Sequence, residues 1–183
     1  MTKLSDNEIL ELFKQTDTKD KALSALITVY QQKLYWHIRK IVIEHDDTDD
    51  VLQNTFIKIW KGLENFKGES QLYTWLYRIA TNEALTFLKQ KQKQNTTSIH
   101  PIEYSLSKSL ESDVYFKGDA IQLKLQQAIL TLPEKQRIVF NMRYFDEMPY
   151  EQMSEILETS VGALKASYHL AAKKIEDHLL NQS

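Results

Sequence analysis

Residues 161–170 read VGALKASYHL and follow a short helical pattern and the dipeptide Thr159-Ser160. This spacing fits a helix–turn–helix, in which the second helix presents its N-terminal residues to the DNA major groove. On a helical period Val161, Leu164, Tyr168 and Ala171 face inward. Gly162, Ala163, Lys165, Ala166 and His169 face out. Small residues there let a backbone approach a groove closely. Lys165, Ser167 and His169 can meet phosphates or base edges. A plain antiparallel helix pair uses the same residues, so spacing alone leaves both readings open.

Two further groups could do chemistry. Gln71, Thr74, Arg78, Thr81, Leu85 and Lys89 fall on the outer side of one helical pattern, with Tyr73 and Tyr77 one turn apart beside them. Arg78, Lys89, Lys91 and Lys93 against Glu83 give that stretch a local charge of +3. Aromatics among cations suit single-stranded nucleic acid, where bases lie on rings and phosphates meet ammonium groups. Tyrosines at a core edge and lysines at a solvated helix end give the same pattern. The other group is Asp50, Gln53, Asn54 and Ile57, a mixed stripe beside a buried one, suited to a partner helix or to an ordinary amphipathic surface.

Catalysis has little support. His37, Glu44, His45, Asp46 and Asp47 can bind metal, but His37 and His45 are eight positions apart and no HExxH pair exists. No Gly-rich phosphate loop or nucleophile elbow is present, so no enzyme activity, metal or cofactor is expected.

The chain has 183 residues, which suits one large domain or two small ones. It has no Cys, which removes disulfides and thiolate metal sites. Four Gly and three Pro leave little turn material for sheets. The N-terminal residues have no apolar core of signal-peptide length, and no apolar run can span a bilayer. A cytoplasmic protein with no integral membrane segment is expected. The 23 Lys and Arg against 25 Asp and Glu give a net charge of −2. Strong autonomous nucleic-acid binders carry a positive excess, so a DNA role here needs local basic faces and a partner.

Ser5 and Glu8 have capping-box spacing before a short helix with Ile9, Leu12 and Phe13 inward. A second helix is predicted over about 20–44, with Leu23, Leu26, Ile27, Tyr30, Leu34, Ile38 and Ile41 on one face. Asp46, Asp47, Asp49 and Asp50 then complement the dipole at the start of a third helix. That helix is expected to bury Leu52, Phe56, Ile59 and Leu63. A polar loop over 64–70 ends at Ser70, a candidate N-cap. A fourth helix is predicted over about 71–93, with Leu72, Trp75, Leu76, Ile79, Ala80 and Phe87 as its apolar face.

Residues 95–118 hold five Ser and two Thr and read as a flexible linker. Beyond it Leu123, Leu125, Ile129 and Leu130 mark a helix, Pro133 suits the first turn of the next, and Pro149 starts a third. The last helix runs from 161 to about 180. The fold class is therefore all-α: two small helical domains, 1–94 and 119–183, the second carrying the helix–turn–helix.

Taken in order, these stretches resemble a bacterial RNA polymerase sigma factor of the extracytoplasmic-function type. Asp50-Val51-Leu52-Gln53-Asn54-Thr55-Phe56 and Trp60 resemble the core-binding part of its region 2. Phe66-Lys67-Gly68 and Trp75-Leu76-Tyr77-Arg78-Ile79-Ala80-Thr81-Asn82 resemble the part that melts and reads the minus-10 promoter element. Residues 132–137 and 150–157 resemble region 4. No long segment separates the two regions, as one does in housekeeping sigma factors.

The resemblance implies a transcription initiation subunit whose partners are core RNA polymerase, promoter DNA as duplex and melted strand, and an anti-sigma factor. Asp50, Gln53, Asn54 and Ile57 would bind the clamp helices of the largest polymerase subunit. The loop of Phe66, Lys67, Gly68, Ser70 and Gln71 would hold a flipped-out base, with Tyr73, Thr74, Trp75, Arg78 and Asn82 as further minus-10 contacts. Gly162, Ala163, Lys165, Ala166, Ser167, Tyr168, His169 and Lys173 would face the minus-35 element. Relatives often carry several Arg along this last helix, where this chain has Ser167, Leu170 and Ala172. A stand-alone helix–turn–helix regulator would bind as a dimer but leaves the first 95 residues unexplained. A helical adaptor with no nucleic-acid role leaves the basic, tyrosine-rich fourth helix unexplained.

Overall fold

A computed structural model describes residues 4–94 and 120–181, and every regular element among them is helical. The chain divides into two compact units at Phe87–Leu88, within a helix that continues to Gln94. The expected linker, 95–118, lies outside the described residues.

The first unit opens with α1, Asp6–Lys14. Its capping box forms as expected: Ser5 Oγ accepts from the Glu8 amide at 3.4 Å, and Glu8 Oε2 accepts from the Ser5 amide at 2.7 Å. The Ser5 hydroxyl also donates to Glu8 Oε2 at 2.7 Å, and that bond, then the one from the Ser5 amide, holds the Glu8 carboxyl below the usual range. A 3-10 turn, Thr16–Thr18, leads into α2, Lys19–Val42. Ala22, Leu26, Tyr30, Leu34, Ile38 and Ile41 form its buried face, while Leu23 and Ile27 lie half-buried at the margin. The helix stops where Ile43 takes φ +76° and returns its amide to the Arg39 carbonyl at 2.9 Å. A β-branched residue is strained in that region, so tertiary packing, not propensity, fixes this corner.

Helix α3, His45–Leu63, follows directly, with Asp46 and Asp47 in its first turn. It buries Val51, Leu52, Thr55, Ile59 and Leu63. Phe56, expected inside, is only half-buried; Thr55 takes the inner position. Its hydroxyl donates to the Val51 carbonyl at 2.7 Å, so the side chain packs much as valine would.

Helix α4, Leu72–Gln94, corrects three expectations. It starts one residue late for Ser70 to cap it; the Gln71 carbonyl accepts the first helical bond, from Trp75. Thr74 and Thr81, expected outside, are 2% and 0% exposed, and Tyr77 is also buried. The Thr81 hydroxyl donates to the Tyr77 carbonyl at 2.7 Å. With that proton committed, its oxygen accepts from His37 Nε2 of α2 at 2.8 Å. The His37 ring also lies 4.7 Å from that of Tyr77. An ion pair of Lys58 with Glu83 ties α3 to α4.

In the second unit α5, Ala120–Leu130, α6, Glu134–Tyr144, α7, Tyr150–Leu157, and α8, Val161–Asn181, share one core. Ala128, Ile129, Leu132, Phe140, Ala171 and Ile175 form its centre. Pro133 stands at the N-cap of α6, just before the first turn. Phe140 lies between Tyr144 and Tyr168, with ring centroids at 5.1 and 5.6 Å.

Two stability predictions follow from buried polar contacts of the first unit. Tyr30 donates to Asp6 Oδ1 at 2.5 Å, joining α2 to α1. Burial, then the Asp6 bond, raises its phenol pKa well above the ordinary value. The raised folded pKa makes this contribution full below about pH 10, the unfolded value, and lost as pH rises further. Tyr30→Phe should therefore cost roughly 1.5–3 kcal/mol at pH 8, with a gap to wild type that narrows above about pH 10 in denaturant titrations; a gap constant to pH 11 contradicts the assignment. For the His37–Thr81 pair, Thr81→Val removes the acceptor from a buried imidazole N–H and should cost roughly 1–3 kcal/mol. Adding His37→Leu should recover most of that loss, and strictly additive losses would show that the pair is not coupled.

Candidate functional site

Three surfaces carry the expected residues. On α3, Asp50, Gln53, Asn54 and Ile57 all lie exposed on one side, opposite the buried face of Val51, Thr55 and Ile59. Ile57 is 46% exposed among polar neighbours, the arrangement of an apolar anchor within a polar rim.

The second surface is the loop before α4. Gly68 has φ +73°, a conformation that glycine adopts without strain, and it turns the loop back toward the helix. Trp75 supports the loop from α4, its ring 5.1 Å from that of Phe66. On the other side a Cβ at Gly62 would stand 3.1 Å from Trp75 Cζ2, so the last turn of α3 holds the indole closely. A cavity of 220 Å³ results, lined by Phe66, Lys67, Ser70, Trp75 and Arg78 together with Asn65 and Glu69. Its wall is therefore part aromatic and part hydrogen-bonding, with both signs of charge.

Not every expected minus-10 residue joins this cavity. Gly68, Gln71, Tyr73 and Asn82 lie outside its lining. The Tyr73 ring lies tilted against that of Tyr77 at 4.3 Å, and Asn82 is exposed farther along α4. Thr74 is buried and offers no surface to a base in this conformation. Asn65 and Glu69 join the lining without any helical period, because loop residues are brought together by the turn at Gly68.

The third surface begins α8. Ser160 caps it, its Oγ accepting from the Ala163 amide at 3.3 Å. Glu158 just before takes the left-handed conformation, φ +50°, and closes α7. Gly162, Ala163, Lys165, Ala166, His169 and Lys173 are exposed, and a Cβ at Gly162 would meet nothing within 4 Å. Ser167 and Tyr168 are half-buried; the Tyr168 ring is engaged with Phe140. Lys165 Nζ and the Arg143 guanidinium lie 5.7 and 5.1 Å from the Tyr150 ring centre. Two cations thus stand against the Tyr150 ring, Lys165 from the second turn of α8 and Arg143 from the end of α6. Arg143, at the end of α6, has no helical periodicity with α8, so the sequence pattern does not link them.

Among the described residues no cluster of three or more His, Asp or Glu could hold a metal ion, and no helix is long and apolar enough to cross a membrane.

Two family models match the chain in order. Residues 26–94 match Sigma-70 region 2, and residues 122–175 match Sigma-70, region 4. The RNA polymerase sigma-H factor of Pseudomonas aeruginosa is 29% identical over 189 aligned residues, covering 98% of this chain and 96% of that one. The ECF RNA polymerase sigma-E factor of Escherichia coli K12 is 28% identical over 182, covering 95% and 94%. Two solved structures share the fold: CnrH in complex with the cytosolic domain of CnrY, and the sigma factor RpoE in complex with the anti-sigma factor NepR from Bartonella quintana. Their TM-scores are 0.70 and 0.67 at 19% and 20% identity. The first match covers 97% of this chain and 99% of that one, the second 90% and 98%. With region 2 on α2–α4, region 4 on α5–α8 and sigma-factor relatives matching along nearly the whole length, the chain belongs to the sigma factors of RNA polymerase, of the extracytoplasmic-function type.

Proposed function

We propose that this sigma factor divides its work among the three surfaces. The exposed stripe of Asp50, Gln53, Asn54 and Ile57 docks on the clamp helices of core polymerase. The loop cavity takes one base out of the minus-10 element as the duplex opens. Unstacking a base costs a few kcal/mol, which aromatic and hydrogen-bonding contacts in such a cavity can offset. Exposed residues at the start of α8 enter the major groove of the minus-35 element, with Lys165 and Arg143 placed for the flanking phosphates. The single observation that carries this reading is the cavity between the Gly68 turn and Trp75. It is a preformed recess with an aromatic wall and polar groups, in the stretch that matches region 2.

On this reading the chain is a dissociable, non-catalytic subunit working in the cytoplasm. The RpoE structure holds an anti-sigma factor, and the reading gives this chain an anti-sigma partner as well.

The test mixes the purified chain with core polymerase and follows co-elution and promoter-dependent transcripts. Both should appear, and the absence of both would overturn the reading. Ile57→Ala and Gln53→Ala should each lower core affinity by roughly tenfold, about 1.4 kcal/mol for a contact at the centre of such a patch. Unchanged affinity in both variants would move the docking face off this stripe.

A further inference from the structure

Helix α8 carries two leucines in its first three turns, and they stand in opposite surroundings. Leu164 is 1% exposed and belongs to the core, whereas Leu170 is 50% exposed. A single exposed leucine is common on protein surfaces and by itself carries no information. The position of this one does.

On the helical period the exposed residues along the first turns of α8 fall into two sectors. Lys165 and His169 lie on one side. Ala163, Ala166 and Leu170 lie on the other, and Gly162 and Lys173 run between them. One turn before Leu170 stand Ala166 and the half-buried Ser167. One turn after it stand the exposed Lys173 and Lys174, and the Lys174 ammonium donates to Gln136 Oε1 of α6 at 3.0 Å. Leu170 is therefore the largest side chain of an apolar sector on the exposed side of the helix.

Each base pair shows the major groove a different edge. Purines offer N7, guanine adds O6, and cytosine offers an amino donor. Leucine pairs with none of these, and covering them costs the hydrogen bonds they make to water. Thymine adds a C5-methyl group, which an isobutyl side chain covers favourably. Helix α8 holds no arginine, so no guanidinium fork on this helix competes for a guanine.

We propose that Leu170 is a specificity-determining residue that reads a thymine of the minus-35 duplex through its C5-methyl group, with Ala166 widening the apolar contact. The proposal rests on the reading of α8 as the helix in that groove.

The test begins with holoenzyme, reconstituted with core polymerase, selecting duplexes from a random-sequence pool. The selected sequences are aligned to find the upstream block. In one selected duplex each thymine of that block is then replaced in turn by deoxyuridine, which lacks only the methyl group. Binding is followed by fluorescence anisotropy. One replacement should weaken binding about threefold to fivefold. Holoenzyme carrying Leu170→Ala should bind the thymine duplex more weakly by a similar factor and should ignore the replacement at that position. Leu170 lies outside the core of its unit, so the variant keeps the fold. An upstream block with no methyl-sensitive thymine overturns the proposal and spares the minus-35 reading. So does a sensitivity that persists undiminished in Leu170→Ala. If no upstream block emerges from the selection, the minus-35 reading itself fails.

Discussion

Charge sets the terms for everything this protein does with DNA. Cations and anions nearly cancel over the chain, at a net −2. Affinity for duplex DNA comes largely from releasing counterions as phosphates are neutralised, and each such contact needs a cation on the binding face. The start of α8 offers Lys165, with Arg143 beside it and Lys173 two turns on. That is enough to orient a helix and too little to hold it on a promoter against ordinary salt. On the proposed reading recognition is local, shaped by close approach at Gly162 and Ala163, and supported by core polymerase docked elsewhere on the chain.

The same logic explains the construction of the first unit. If the loop cavity takes an extruded base, as proposed, it must be rigid before the base arrives, since ordering it afterwards would cost affinity. Here rigidity comes from a short list of contacts. Gly62 holds the Trp75 indole, Trp75 supports Phe66, and Gly68 turns the loop without strain. His37 and Thr81 fix α4 against α2 with one buried hydrogen bond, and Lys58 with Glu83 fixes it against α3. A buried polar contact tolerates few alternative registers, because any slip leaves its donor unpaired.

Much of this was legible in the sequence. The last two helices of the second unit are legible in outline, because Pro149 and the Thr159-Ser160 turn punctuate a helical period. The inward set Leu164 and Ala171 and the outward set Gly162, Lys165 and His169 stand as their spacing suggests. Helix α4 was harder. Its buried face includes Thr74, Tyr77 and Thr81, polar types whose hydroxyls hide their hydrophobic use. Thr81 satisfies its own proton within the helix and then serves His37, a pairing 44 positions apart that no local pattern encodes. Phe56 failed in the opposite sense: it looked like core, but Thr55 occupies the inner position. The cavity's Asn65 and Glu69 depend on how one glycine turns a loop, and Arg143 reaches Tyr150 from another helix. Such contacts belong to tertiary structure, and a period of 3.6 carries no trace of them.

The central claim is that this chain reads promoters only as part of a polymerase. Its most direct test is the affinity for one promoter fragment of the free chain and of the reconstituted holoenzyme, titrated in the same salt series. The account predicts weak binding by the free chain, with no marked preference for the promoter over unrelated DNA, and tight promoter-specific binding by the holoenzyme. Tight, sequence-specific binding by the free chain would contradict it.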